Sequence, residues 1–185
     1  MPKKISVELI ENFLVVWNPL DGSELYKKGF YGKPLGIAKP KIPEFNVPLI
    51  LDLMEGLYLL ENKKITIHEG PKRCSVSLKK LRQKTKRLYD EFEEKYTVYR
   101  DLRSTGLIVT PGIKFGCDFA VYKYGPGFEH APYMVSVKKS GSTLSATEIV
   151  KAGRLATTVR KRFIIAVPDL AANSVKYLIF KWFKA

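Results

Sequence analysis

Cysteine, histidine and acidic side chains are all scarce in this chain, and each shortage removes a class of function. Two cysteines, Cys74 and Cys117, occur in 185 residues, with no Cys-x-x-Cys pair and two histidines to assist them. That excludes a structural zinc site of the usual ligand set, and nothing requires a disulfide. Cys117 lies in an apolar run and reads as core; His68 reads as structural. No apolar run approaches the ~20 residues of a membrane-spanning helix; those around Val47–Leu60 and Phe163–Val167 are interrupted or bounded by Pro, Asp, Glu or Gly. Lys3 and Lys4 near the N-terminus have no apolar core or cleavage site behind them, so no signal peptide is expected, and the chain reads as soluble and cytoplasmic. There is no Gly-rich phosphate loop of the Walker kind and no Ser nucleophile elbow, and no internal repeat.

What the chain does have is positive charge. Its 32 Lys and Arg stand against 18 Asp and Glu, a net charge of +14. A fold gains nothing from that excess, which repels itself, whereas a polyphosphate partner is attracted by it. A ribosome-associated or membrane-surface protein is the alternative. The cations are interleaved with apolar residues, which make up 45% of the chain, so a disordered basic tail is not expected.

The chain reads as two domains, 1–90 and 91–185. The first mixes short strands with two helices. Phe13–Trp17 reads as a strand and Asn18–Gly22 as a turn. Gly32–Pro48 holds four prolines with Lys33, Lys39 and Lys41, which forbids a helix or central strand and predicts a long basic loop. Leu49–Glu61 is expected to be a helix, Lys64–His68 a strand and Gly70-Pro71 a turn. Ser77–Tyr96 is predicted to be the longest helix, capped by Ser77, with an apolar stripe of Leu78, Leu81, Leu88, Phe92 and Tyr96. Its other face carries Lys79, Lys80, Arg82, Lys84, Lys86 and Arg87, read as a solvated face with RNA contact as the alternative.

In the second domain the helix continues over Val98–Ser104 and stops at Gly106. Pro111-Gly112 makes a turn. Lys114–Tyr122 alternates, with Phe115, Cys117, Phe119 and Val121 on one side and Tyr122 on the other. Gly125-Pro126-Gly127 is a tight loop before a strand at Tyr133–Val137. Ser145 with Glu148 three residues on is a capping box that opens a helix. Phe163–Val167 reads as a buried strand ended by Pro168, and Ser174–Phe183 as the last strand. The fold class expected is α/β, with a mixed sheet flanked by helices in the second domain.

Clustered carboxylates would mark a metal nuclease, such as a metal-dependent DNA junction nuclease. Asp118 is one candidate, but Val135–Lys138 lacks the acid expected two residues before its lysine, so Asp118 reads as structural. What remains is a metal-free set: Tyr122 at a strand end, His130 just past the Gly-Pro-Gly loop, and Lys161 between a helix and a buried strand. RNA brings its own nucleophile, the ribose 2′-OH. Cleavage then needs a base, an acid for the leaving 5′ oxygen, and a cation for the extra negative charge. Histidine suits the acid. Tyrosine, at about 10 unperturbed, needs a nearby ammonium to serve as base, and the same ammonium stabilises the transition state. The bland readings are a surface histidine, one tyrosine among ten, and a helix-end charge cluster at Arg160–Arg162.

Tyr96–Gly106 resembles the helix that opens the catalytic domain of the tRNA-splicing endonucleases. Gly112–Tyr122 is similar to their most recognisable strand, Phe128–Tyr133 to the segment with the catalytic histidine, and Gly153–Lys161 to the helix end with the catalytic lysine. The three segments that carry Tyr122, His130 and Lys161 occur in the family's order, and the likeness spans about residues 90–170, fainter over the N-terminal half. It implies a restriction-endonuclease-like second domain without metal or cofactor, and Tyr122, His130 and Lys161 as catalytic residues. It also implies a precursor tRNA substrate with a bulge-helix-bulge motif, cut to a 2′,3′-cyclic phosphate and a 5′-OH. Arg154, two helical turns before Lys161, matches a base-clamping arginine; Lys176 is the candidate for the second clamping cation. The loop at 32–48 resembles an insertion in crenarchaeal catalytic subunits, with Lys39 and Lys41 as RNA-contacting residues. A structural subunit in a two-plus-two heterotetramer is then expected, with Tyr177–Phe183 helping to form an interface; a non-catalytic RNA-binding subunit is the remaining alternative.

Overall fold

The structure is a computed structural model that describes residues 4–38, 40, 42–158 and 162–180. It divides into two compact units, Met1–Asp90 and Glu91–Ala185. No helix among the described residues is long and apolar enough to cross a membrane.

The first unit is a six-stranded sheet with three helices. Its strands are β1 (Ile5–Ile10), β2 (Phe13–Val16), β3 (Lys33–Pro34), β4 (Leu49–Leu51), β5 (Ile65–Glu69) and β6 (Cys74–Ser75), in the order β3-β4-β2-β1-β5-β6. The pairing of β1 with β5 is parallel. The turn expected at Asn18–Gly22 is instead the start of a helix, α1 (Pro19–Gly29). Asn18 accepts the Leu20 N–H at 3.0 Å, and proline at the first helical position gives up an N–H that has no partner there anyway. The helix expected over Leu49–Glu61 loses its first turn to β4, and α2 runs over Leu53–Glu61. Asp52 and Glu55 form the capping box at this junction. In the proline-rich stretch Lys33–Pro34 pairs with β4, on the sheet edge where proline is tolerated. Lys39 and Lys41 lie outside the described residues.

The long helix expected from Ser77 to Tyr96 is two helices, α3 (Leu78–Leu88) and α4 (Phe92–Ser104), with Glu91 left-handed at φ 54°. The break has a tertiary cause. The Tyr89 phenol donates to the carboxylate of Asp52, and burial, reinforced by that carboxylate, pushes its pKa up. Keeping Tyr89 on the cap of α2 takes it out of helical register. The stripe also differs: Leu81 and Thr85 are buried on α3, while Leu78 and Leu88 are exposed. The Thr85 hydroxyl donates to Leu81 O at 2.8 Å, which satisfies it in the core.

The second unit opens with α4 and continues with β7 (Ile108–Pro111), β8 (Phe119–Tyr122), β9 (Tyr133–Val137), α5 (Ala146–Thr158), β10 (Arg162–Asp169) and β11 (Ser174–Phe180). The sheet order is β11-β10-β9-β8-β7. β9 and β10 are parallel, joined across α5, and the other pairs are antiparallel. This is the mixed α/β architecture expected, with one strand more. β7 is a short unanticipated strand, and the strand expected from Lys114 shrinks to Phe119–Tyr122. Residues Ile113–Phe115 form a 3-10 turn and Gly116 is left-handed at φ 66°. Gly112 makes this possible: a Cβ there would lie 2.6 Å from Cys117 Sγ and 2.8 Å from Cys117 O. Phe119, Ala120 and Val121 are all buried, so both faces of β8 are covered and alternation carries little information.

Pro168 lies inside β10 rather than ending it. The Ala166 carbonyl accepts Lys138 N–H on the β9 side at 2.9 Å. Two residues on, the Pro168 nitrogen points the same way, past the last β9–β10 pair, Val137 with Ala166. The capping box at Ser145 is present, with Glu148 N–H to Ser145 Oγ at 3.2 Å and Ser145 N–H to Glu148 Oε2 at 2.9 Å. Lys138 and this cap hold the Glu148 carboxyl down to about 2.

Candidate active site

Strand register sets the site. Val121 of β8 is opposite Tyr133 of β9, Arg162 of β10 is opposite the same Tyr133, and Arg162 N–H donates to Pro132 O at 2.9 Å. The end of β8 and the beginnings of β9 and β10 therefore lie side by side at one end of the sheet. Tyr122 is the last residue of β8, and His130 precedes β9 by three residues. Lys161 lies outside the described residues; its chain neighbour Arg162 opens β10 at that end. The Arg162 guanidinium sits 5.9 Å from the Tyr133 ring centroid, a cation–π contact.

Between Tyr122 and His130 the chain makes a structured loop. Gly125 and Gly127 take φ 112° and 95°, which suits glycine. Phe128 and Glu129 N–H groups both donate to Gly125 O, at 3.2 and 3.3 Å. The Glu129 carboxylate then reaches back to accept the N–H groups of Lys123 and Tyr124, the latter at 2.6 Å. On the other side of His130, Ala131 is buried in the cluster of Cys117, Ala120, Met134, Phe163 and Ile165. His130 is exposed between these two anchored neighbours: one is held by charge-assisted hydrogen bonds and the other by burial.

Tyr122 is half-buried and packs against that same cluster. Burial raises the pKa of its phenol, the Thr110 hydroxyl draws it down, and the Glu129 carboxylate pushes it up. The site in isolation keeps this phenol protonated, so a role as base needs a cation brought beside it.

The other candidates are dispersed. Arg154 is exposed on α5; Lys161, seven residues on, lies outside the described residues. Lys176 is exposed on β11 opposite Val167, five residues along β10 from Arg162 and so roughly 16 Å from the site end at strand rise. Asp118 is committed to the fold: Val137 N–H donates to one oxygen at 2.8 Å and Lys95 Nζ is 3.0 Å from the other. Among the described residues no three His, Cys, Asp or Glu side chains converge to hold a metal ion.

Glu129 escaped the sequence reading, because its partners are backbone amides that no side-chain pattern reveals. Glu129→Ala removes the acceptor of both amides and is expected to loosen the loop before His130, read as faster hydrogen exchange at Lys123 and Tyr124. Glu129→Gln keeps an acceptor oxygen for both amides and removes the charge beside Tyr122, so it should retain most of the protection. Removing a neighbouring negative charge favours the phenolate, so the Tyr122 titration should move down in pH. The ultraviolet difference against a Tyr122→Phe background measures it.

A family model described as the tRNA intron endonuclease catalytic C-terminal domain matches residues 92–177. A second, described as the tRNA intron endonuclease N-terminal domain, matches residues 5–82. Curated relatives agree over almost the whole chain. The tRNA-splicing endonuclease of Hyperthermus butylicus is 45% identical over 172 residues, 92% of this chain and 93% of that protein. That of Sulfurisphaera tokodaii is 41% identical over 178 residues, 96% and 98%, and that of Saccharolobus islandicus 37% over 177 residues, 95% and 97%.

Proposed function

The chain belongs to the tRNA intron endonuclease family, and on that premise we propose that it cuts precursor tRNA at bulge-helix-bulge junctions without a metal, using the ribose 2′-OH at the splice site as nucleophile. It is an endoribonuclease of tRNA splicing; the substrate motif and the chemistry are our reading. Tyr122 takes the 2′-OH proton, His130 gives a proton to the leaving 5′ oxygen, and Lys161 steadies the phosphorane charge and draws Tyr122 toward phenolate. Atoms balance without a cofactor. The 2′ oxygen bonds to phosphorus, the bond to the 5′ oxygen breaks, and the products are a 2′,3′-cyclic phosphate and a 5′-OH.

One observation carries the reading. The register of β8, β9 and β10 gathers the end of Tyr122's strand, the His130 segment and the chain neighbour of Lys161 at a single sheet end. The metal-dependent alternative is disfavoured because Asp118, its best candidate, has both carboxylate oxygens engaged in holding the fold. A non-catalytic subunit would have no reason to keep all three of Tyr122, His130 and Lys161 in its sequence.

Arg154 is the base-clamping residue in this proposal, since a guanidinium stacks well on a flipped base. Lys176, so far along β11, can join that clamp only at a neighbouring subunit's site. Lys39 and Lys41 touch the RNA from the proline-rich segment. The active particle pairs this chain with a structural subunit two by two. β11 is an edge strand whose Leu178 and Ile179 are each 51% exposed, and such an edge needs covering.

Incubating the chain, with and without a structural subunit, with bulge-helix-bulge RNA in excess EDTA tests the proposal. Cleavage should persist and leave a cyclic phosphate. Loss of cleavage on chelation, restored by a divalent ion, would reject it.

A further inference from the structure

The +14 charge is not spread evenly. Residues 70–89 hold eight Lys and Arg and no Asp or Glu, so more than half of the net charge sits in 20 residues. Most of it is on α3. Buried Leu81 and Thr85 fix the core side of this helix, and the helical period places Lys79, Gln83, Lys86 and Arg87 around the opposite pole, with Lys80 beside them. All of these residues are exposed.

Folding alone does not account for this arrangement. α1, α2, α4 and α5 each place an acid in the first turn, where the helix dipole favours one. α3 has none there, and carries Lys79 and Lys80 instead. Lys80 and Lys84, and Arg82 and Lys86, are like charges at i,i+4, which disfavours the helix. Two flanking cations find acids, Lys80 on Glu69 and Arg82 on Glu61. Lys79 and Arg87 make no ion pair among the described residues.

We propose that the outer face of α3 is a docking surface for the sugar–phosphate backbone of double-helical RNA in the substrate. This rests on the RNA-cutting function above and extends it to the first unit. Lys79 to Arg87 is nine residues, about 12 Å of helix from first to last, long enough to meet about three phosphates. The face presents flexible cations and no aromatic side chain, so it holds the backbone of a duplex rather than reading bases.

The test uses the assembled, active enzyme and precursor tRNA, with kcat and KM measured across a salt series. In Lys79→Gln/Lys86→Gln/Arg87→Gln, KM should rise about tenfold with kcat unchanged. The slope of log KM against log salt should fall by about 2.7, the release expected for three lost phosphate contacts on a duplex. Lys79→Arg/Lys86→Arg should keep the original KM. A charge-matched control, Lys27→Gln/Lys28→Gln/Lys63→Gln, should leave the slope unchanged and so separate local contact from long-range attraction. The proposal fails if the α3 variant keeps its KM and slope, if the control matches it, or if kcat falls together with the mass of the assembly, which would make α3 a protein interface. An original enzyme that leaves precursor tRNA uncut would instead overturn the functional reading.

Discussion

Replacing His130 with alanine is expected to lower the single-turnover cleavage rate by about 10²–10⁴-fold while leaving thermal stability unchanged. The size of the loss is what a positioned proton donor is worth to an expelled alkoxide. Stability should hold because the imidazole is exposed and the loop is anchored by its neighbours, with Glu129 on two backbone amides and Ala131 in the core. A nucleotide with a better leaving group at the 5′ oxygen, such as a phosphorothiolate, should restore much of the variant's rate. That substrate needs no proton on departure, so rescue separates acid catalysis from damage to the loop. A variant with full activity on the ordinary substrate would remove His130 from the chemistry.

The second large effect falls on stability. Arg103→Ala should destabilise the second unit by about 3 kcal/mol, read as a lower midpoint in urea unfolding. Arg103 is 7% exposed. Its guanidinium donates to the Tyr99 hydroxyl and the Val109 carbonyl, each at 3.0 Å, and lies 5.3 Å from the Tyr99 ring centroid. The buried hydrogen bonds pin β7 to α4. Truncation removes a hydrogen bond from a buried carbonyl and from a buried phenol and opens a cavity, each costing of the order of 1–3 kcal/mol. Arg103→Lys should recover part of the loss, because an ammonium has no planar fork to reach both acceptors. A midpoint unchanged in Arg103→Ala would show that water replaces the guanidinium at no cost.

These two residues mark what the sequence could and could not reveal. His130 stands out because histidine is rare here and follows a Gly-Pro-Gly loop. The caps at Ser77 and Ser145 are equally legible, since their partners lie within three residues. Arg103 and Glu129 are anonymous in sequence, because their work is done on backbone atoms that only the fold brings near. The break after Leu88 is hidden for the same reason: Tyr89 is held by Asp52, 37 residues away. Local pattern misled in two further places. Asn18-Pro19 looks like a turn but is a cap and first helical residue. The alternation from Lys114 to Tyr122 mimics a half-buried strand, whereas the chain winds through a 3-10 turn and then enters a strand covered on both faces. Pro168 failed as a stop signal because its missing N–H faces the side that β9 has already left.

Much of the candidate site was thus readable as residue types in order, and the register adds why the end of Tyr122's strand and the start of β9 lie at one end of the sheet. The structure also adds a constraint. Tyr122 starts from a raised pKa, through burial and through Glu129, so the base role proposed for it requires a cation beside the phenol. Lys161→Ala should therefore impair the Tyr122 step as well as charge stabilisation.

The most direct test replaces the 2′-OH at the splice-site ribose with hydrogen, in an otherwise unaltered precursor tRNA. If RNA supplies the nucleophile, the deoxy substrate binds with nearly its normal affinity and is not cut. Cleavage of the deoxy substrate at an undiminished rate would mean that water or a protein group attacks the phosphorus, and the roles given to Tyr122, His130 and Lys161 would be wrong.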